Sequence, residues 1–135
     1  MDRGLSFVPD FAAGEGRPGR ARRILLVEDH EDTLAYLRRY LESNGHAVTI
    51  ARTAADARLA ANVCLPDILL CDITLPDGDG CQLLADLAEL RPALCVAMSG
   101  HGMKAEVARC RDAGFHRHLT KPFLPDDLDA VLKLA

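Results

Sequence analysis

A chain of 135 residues, 49% of them hydrophobic and with a formal net charge of −4, holds one globular domain with a real core. The acidic balance offers no basic face for nucleic acid, and no apolar run approaches the roughly 20 residues that cross a bilayer. The five cysteines (Cys64, Cys71, Cys81, Cys95 and Cys110) contain no Cys-x-x-Cys pair, and no apolar secretory stretch opens the chain, so reduced thiols in a cytoplasmic protein are expected.

Residues 1–22 are rich in Gly, Pro and Arg, follow neither a helical nor a strand period, and read as a flexible arm or linker. The short run of Arg17, Arg20 and Arg22 has no aromatic residue among its members, which favours a solvated linker over a nucleic-acid contact. From Arg23 onward strands and helices alternate. Ile24 to Val27 is a continuous apolar run, as in a central parallel strand covered on both faces. His30 to Asn44 carries Leu34, Leu37 and Leu41 at helical spacing, with Gly45 placed to close the helix. Ala47 to Ile50 is the second strand, and Thr53-x-x-Asp56 opens an alanine-rich helix to about Val63. Ile68 to Cys71 is the third strand, followed by Asp72. Asp79 to Leu90 places Leu83, Leu84, Leu87 and Leu90 on one helical face and stops before Pro92. Leu94 to Met98 is the fourth strand, and Met103 to Ala113 is a helix closed by Gly114 with no clear cap at its start. His116 to Leu119 is the fifth strand. Pro125 begins a last helix that buries Leu128, Val131 and Leu132. Five such units joined by short loops predict an α/β fold, a doubly wound five-stranded parallel sheet.

In that architecture chemistry sits where strands end at their carboxyl edge. Glu28 and Asp29 follow the first strand, Asp72 ends the third, Ser99 follows the fourth, and Thr120-Lys121-Pro122 follows the fifth. Three carboxylates side by side repel one another unless a cation neutralises them, and hard oxygen ligands beside a phosphate suit Mg²⁺. Asp72 is then positioned as a carboxylate nucleophile for an aspartyl phosphate, with Lys121 and Ser99 as donors to the phosphoryl oxygens. Gly78-x-Gly80 lacks the third glycine of a dinucleotide loop, and the scattered histidines lack metal-ligand spacing.

These pieces resemble the receiver domain of two-component response regulators, chemotaxis-regulator-like, over residues 23–135. They are Val27-Glu28-Asp29, Cys71-Asp72 through Gly80, Met98-Ser99-Gly100 and Lys121-Pro122-Phe123, in family order and spacing. The resemblance implies a flavodoxin-like (βα)5 fold with strand order 2-1-3-4-5. It implies that Asp72 accepts a phosphoryl group from a histidine kinase or histidine phosphotransfer protein, and that Glu28, Asp29, Asp72 and the Thr74 backbone carbonyl hold Mg²⁺. Ser99 and Lys121 would bind the phosphate, and the Lys121-Pro122 peptide would be cis. Such a domain is a signalling phosphoacceptor that assists its own phosphorylation and dephosphorylation, and it passes its state to an effector through the face of the fourth helix, fifth strand and fifth helix. His118 stands where the family often has a switching Tyr or Phe, with the ring expected inward once phosphate draws Ser99 in. Thr74 and His101 occupy positions that tune phosphate loss. Gly114 to Leu119 resembles receivers attached to hybrid sensor kinases, and no output domain follows Ala135 in this sequence.

Two other readings share part of the pattern. A haloacid-dehalogenase-type phosphatase also forms an aspartyl phosphate, but it carries a second Asp where Thr74 stands. A receiver-like module that binds without being phosphorylated would not need the intact set of Glu28, Asp29, Asp72 and Lys121.

Overall fold

The computed structural model describes residues 21–100 and 104–134. β1 (Arg23–Val27), β2 (Ala47–Ala51), β3 (Ile68–Asp72), β6 (Leu94–Ser99) and β7 (Arg117–Thr120) form one sheet in the order β2-β1-β3-β6-β7. Every pairing in it is parallel. Counted among the sheet strands alone, this is the expected order 2-1-3-4-5. The remaining two strands, β4 (Thr74–Leu75) and β5 (Gly78–Asp79), make a small antiparallel hairpin directly after β3. That hairpin was read from the sequence only as a Pro/Gly turn.

α1 (Glu31–Ser43), α2 (Ala54–Cys64), α3 (Gly80–Asp86), α4 (Lys104–Ala113) and α5 (Pro125–Leu132) cover the sheet. Alternate strand residues face two different layers. Ile24, Leu26, Leu70, Val96 and Met98 pack with Leu34, Leu37 and Leu41 of α1 and with Leu128 and Val131 of α5. Leu25, Val27, Cys71, Cys95 and Ala97 pack with Ala54, Ala57 and Ala61 of α2, Leu83 and Leu84 of α3, and Cys110 of α4. The continuous apolar runs of β1, β3 and β6 are what a strand buried on both faces requires.

Helix ends follow local chemistry. His30, expected inside the first helix, instead caps α1, its Nδ1 facing the Thr33 backbone N–H at 3.4 Å. Thr53 caps α2 by accepting from the Asp56 N–H at 3.0 Å, as its spacing indicates. Gly45 and Gly114 close α1 and α4 at positive φ. The single helix expected over Asp79 to Leu90 is divided: Asp79 is the cap, α3 ends at Asp86, and a 3₁₀ turn occupies Ala88–Leu90. Leu87 precedes that turn, keeps an α-helical bond from its N–H to the Leu83 carbonyl at 3.0 Å and is buried beside Leu83 and Leu84, while Leu90 inside the turn is only partly buried. Leu65 and Arg91 adopt left-handed backbone (φ 47° and 46°) immediately before Pro66 and Pro92. Residues 1–20, and with them most of the expected arm, lie outside the described residues. Arg22 is already tied to the sheet: its N–H donates to His46 Nδ1 at 3.1 Å and its carbonyl accepts from Ala47 at 2.9 Å. Among the described residues, no helix is long and apolar enough to cross a membrane.

Candidate functional site

β1 delivers Glu28 to the carboxyl edge of the sheet, where its N–H still bonds the Ala51 carbonyl at 3.0 Å. The Glu28 carboxylate is fully buried; one oxygen accepts the His30 N–H at 3.0 Å and the other accepts the Lys121 ammonium. Asp29, the next residue, is exposed. Asp72 ends β3 nearly buried, at 7% exposure, with Oδ1 accepting the Thr74 N–H at 3.0 Å and Oδ2 accepting Lys121 Nζ at 2.9 Å. Carboxylate oxygens of Glu28, Asp29 and Asp72 lie within 4.8 Å of one another. Ser99, 2% exposed, ends β6, and its carbonyl accepts the Lys121 N–H at 2.7 Å. The Lys121-Pro122 peptide is cis, as the resemblance implied.

Three acids and one ammonium share this pocket, and the electrostatics follow. Burial raises the Glu28 carboxyl above its ordinary value, and the charge of Asp72 adds to that. The Lys121 bond and the His30 N–H pull the other way without cancelling it. Burial alone would lower Lys121, but its bonds to Glu28 and Asp72 outweigh this and raise it, so it stays an ammonium. A donor set of hard carboxylate oxygens around partly uncompensated negative charge fits a divalent cation that prefers oxygen, such as Mg²⁺. Among the described residues no other group of acids, histidines or cysteines is gathered in this way.

The segment after Asp72 is held from several directions. Gly80 N–H bonds the Ile73 carbonyl at 2.9 Å, and a Cβ on Gly80 would stand 2.7 Å from the Asp72 carbonyl oxygen and 2.8 Å from Ile73 Cα. Only glycine lets the turn close this tightly behind Asp72. Asp77 reaches away from the acid cluster and caps α2, accepting the Ala54 and Ala55 N–H groups at 2.7 and 3.0 Å, bonds that hold its carboxyl below the usual range. Asp79 caps α3 through the Cys81 N–H at 2.6 Å and pairs with Arg109 of α4. Burial pushes its carboxyl up, yet these two partners outweigh that and leave it lowered. The acids of this loop that are not in the cluster are therefore structural. An Asp directly before the helix is the available signal for Asp79; the partner of Asp77 lies 23 residues upstream and leaves no sequence trace.

The other singled-out residues find distinct places. His118 places its ring beside Ser99, Nε2 to Oγ at 2.8 Å. His116 Nδ1 accepts the Cys95 N–H at 2.9 Å, a fold contact rather than a metal ligand. His101 lies outside the described residues, as does the start of the segment before α4. The five cysteines are free, and burial pushes the thiols of Cys81 and Cys95 up to about 11, which leaves them poor nucleophiles.

The profile of the response regulator receiver domain matches residues 24–133. The KDP operon transcriptional regulatory protein KdpE of Escherichia coli K12 is 33% identical over 112 residues, covering 83% of this chain and 50% of that protein. The chain thus spans about half the length of that relative. The polar-differentiation response regulator DivK of Brucella ovis is 30% identical over 104 residues, 75% of this chain and 85% of that protein. Among solved structures, a CheY-like receiver domain protein of Methanospirillum hungatei superposes with a TM-score of 0.77 at 31% identity, covering 84% of this chain and 91% of that one. The receiver domain of a sensor histidine kinase of Pseudomonas aeruginosa, solved with magnesium coordinated in its active-site cleft, gives 0.76 at 27% identity over 84% and 95%. The family match and these relatives favour the receiver over the haloacid-dehalogenase reading, and the chain belongs to the receiver domain family of two-component response regulators.

Proposed function

We propose that Asp72 is the residue phosphorylated in this receiver, with a phosphohistidine on a histidine kinase or phosphotransfer protein as donor. The observation that carries the reading is the convergence of Glu28, Asp29 and Asp72 oxygens within 4.8 Å around a lysine bonded to two of them. Asp72 would attack phosphorus as the P–N bond to the donor imidazole breaks, the departing nitrogen keeping the electron pair. The Thr74 N–H fixes one carboxylate oxygen, so the carboxylate is aimed before the donor arrives. Lys121 would leave its carboxylate partners in part to hold the incoming phosphoryl oxygens, with the Ser99 hydroxyl as a neutral donor beside it.

Glu28, Asp29, Asp72 and the Thr74 carbonyl would hold Mg²⁺, which when bound offsets the negative charge that otherwise keeps a carboxylate from a phosphoryl group. The same residues would assist hydrolysis of the aspartyl phosphate. A groove of about 530 Å³, lined by Tyr36, Leu37, Pro122 and Phe123 with Thr33 and the charged Asp32 and Lys121, opens beside the site and would offer the donor a largely apolar surface. The effector would read the face of α4, β7 and α5. Residues 1–22 would be an arm or linker joined to the receiver of residues 23–135, which would act in the cytoplasm.

Incubation with acetyl phosphate and Mg²⁺ should add one base-labile phosphoryl group per chain. Excess chelator and Asp29→Ala should each nearly abolish it. Equal labelling in chelator would refute the metal-dependent reading.

A further inference from the structure

α2 turns an apolar strip to the outside, where a surface helix ordinarily carries its polar residues. Leu59 is 72% exposed, Val63 one turn on is 86% exposed, and Leu65 at the end of the helix is 52% exposed. They are three of the six large hydrophobic side chains that stand exposed among the described residues. Single exposed hydrophobics are ordinary, but a contiguous strip marks a surface that something covers. Ala55 extends the strip by one turn, and the polar member, Asn62, bends its amide back to the Arg58 carbonyl at 2.9 Å. Asp56 and Arg58 flank it, and Arg58 is held by Asp86 at 2.8 Å. An apolar centre with a polar rim is the anatomy of a docking surface.

The N-terminal arm joins the sheet at the same end of the molecule. The Arg23 N–H and guanidinium hold the Asp67 carboxylate, and the Asp67 N–H bonds the Arg23 carbonyl at 2.8 Å, so the arm begins beside the segment that ends α2. Apart from Met1, the large apolar residues of positions 1–20 are gathered at Leu5, Phe7, Val8 and Phe11, ahead of a stretch that holds Gly14, Gly16, Pro18 and Gly19. A linker that stays in water needs no aromatic residue. Yet Phe7 and Phe11 are two of the four phenylalanines in the chain, and the other two, Phe115 and Phe123, pack against the core. We propose that residues 5–11 dock on the strip of Leu59, Val63 and Leu65, so that the arm is an intramolecular cover for the outer face of α2. A Gly-containing coil of the length of residues 12–22 reaches about 17–20 Å. The strip from Leu65 back to Ala55 measures about 15 Å at the helical rise per residue. A tether matched to its span gives an effective concentration of about a millimolar, which fills even a weak site. The groove at Tyr36 and Phe123 lies beside Lys121 at the carboxyl edge, away from the edge where the arm begins. Nothing in this packing depends on the modification of Asp72.

The test uses the full chain. In ¹³C-labelled protein, ring protons of Phe7 or Phe11 should show nuclear Overhauser contacts to methyl groups of Leu59 or Val63, and their absence overturns the proposal. Phe7→Ser/Phe11→Ser should shift the Leu59 and Val63 methyl resonances and leave those of Ile24 in place; unmoved α2 methyls count against the cover. Chymotrypsin, which cuts after accessible phenylalanine, should cleave the arm of Leu59→Gln/Val63→Gln about threefold to tenfold faster than that of the wild type, the scale of losing two partly buried apolar side chains. Both positions are exposed and Gln is a good helix former, so this variant keeps its fold. Equal cleavage rates overturn the proposal. A second copy of the chain is the competing occupant, and a mixture of labelled and unlabelled protein separates the two. Contacts within one chain of a sedimenting monomer support the cover. Contacts only between chains, in a dimer that Leu59→Gln/Val63→Gln dissolves, overturn it.

Discussion

At the carboxyl edge of the sheet Lys121 holds Glu28 and Asp72, and at the amino edge Arg23 holds Asp67 with its backbone N–H at 2.9 Å and its guanidinium at 3.1 Å. The residue types are alike, but the surroundings differ. Glu28 is fully buried, and burial raises its carboxyl despite the lysine. Asp67 is only partly buried, and its bonds to Arg23, the backbone N–H first, lower its carboxyl. An exposed pair of the second kind contributes about 0–1 kcal/mol and serves to pin strand ends together. A buried cluster of the first kind is costly to assemble, and its uncompensated charge is available for a cation and a phosphoryl group. The fold thus crowds its carboxylates at the edge where chemistry occurs and gives the carboxylate at the opposite edge a well-matched partner.

The comparison is broken most severely by removing the base that holds the buried edge together. Lys121→Met leaves Glu28 and Asp72 facing each other and should cost about 2–4 kcal/mol in urea unfolding at pH 7.5 with chelator present. Without the ammonium, Glu28 has a folded pKa further above its unfolded value, so stability is lowest at high pH and recovers as pH falls and Glu28 takes a proton. A loss that does not shrink toward pH 5 would contradict the burial account.

Gly80→Ala tests the same edge without touching a charge. A methyl 2.7 Å from the Asp72 carbonyl forces the turn apart, and about 1–3 kcal/mol of destabilisation is expected in the same unfolding assay. Asp77→Ala should do less. It removes the bonds to the Ala54 and Ala55 N–H groups, lowers the melting temperature by a few degrees, and speeds amide exchange at the start of α2 while leaving Asp72 in place.

The amino edge should answer to pH in its own way. His46 is lowered from its ordinary 6.5, chiefly by burial and then by Arg22, and its Nδ1 accepts the Arg22 N–H. Its folded pKa lies below the unfolded one, so the unfolded chain binds the extra proton. This contribution is complete above about pH 6.5 and declines as pH falls below it. Wild-type stability should therefore drop between pH 7 and 5 by more than that of His46→Gln; parallel curves would remove His46 from the account.

The apolar runs of β1, β3 and β6, the spacing of Leu34, Leu37 and Leu41, and the acids at the strand ends were all legible, because burial on both faces and a carboxyl-edge site leave local patterns. What the residues concealed is mostly non-local. Asp77 looks like any turn acid until α2 comes alongside it, and Asp79 reveals its cap but not its pairing with Arg109 on α4. The division of α3 was hidden because Leu83, Leu84 and Leu87 belong to the α-helical stretch and its cap, and Leu90 inside the 3₁₀ turn still packs in part against the same cluster. The contact of His118 with Ser99 depends on the β6–β7 register and on Ala97 being small, neither of which a single position displays.

The central claim is that the buried, crowded edge is the phosphoacceptor and that Asp72 is the residue modified. The most direct measurement is treatment with acetyl phosphate and Mg²⁺, borohydride reduction of the acyl phosphate to an alcohol, and peptide mapping. The account predicts reduction at Asp72, absent in Asp72→Asn and in chelator. Reduction at Glu28 or Asp29 instead, or unchanged labelling of Asp72→Asn, would contradict it.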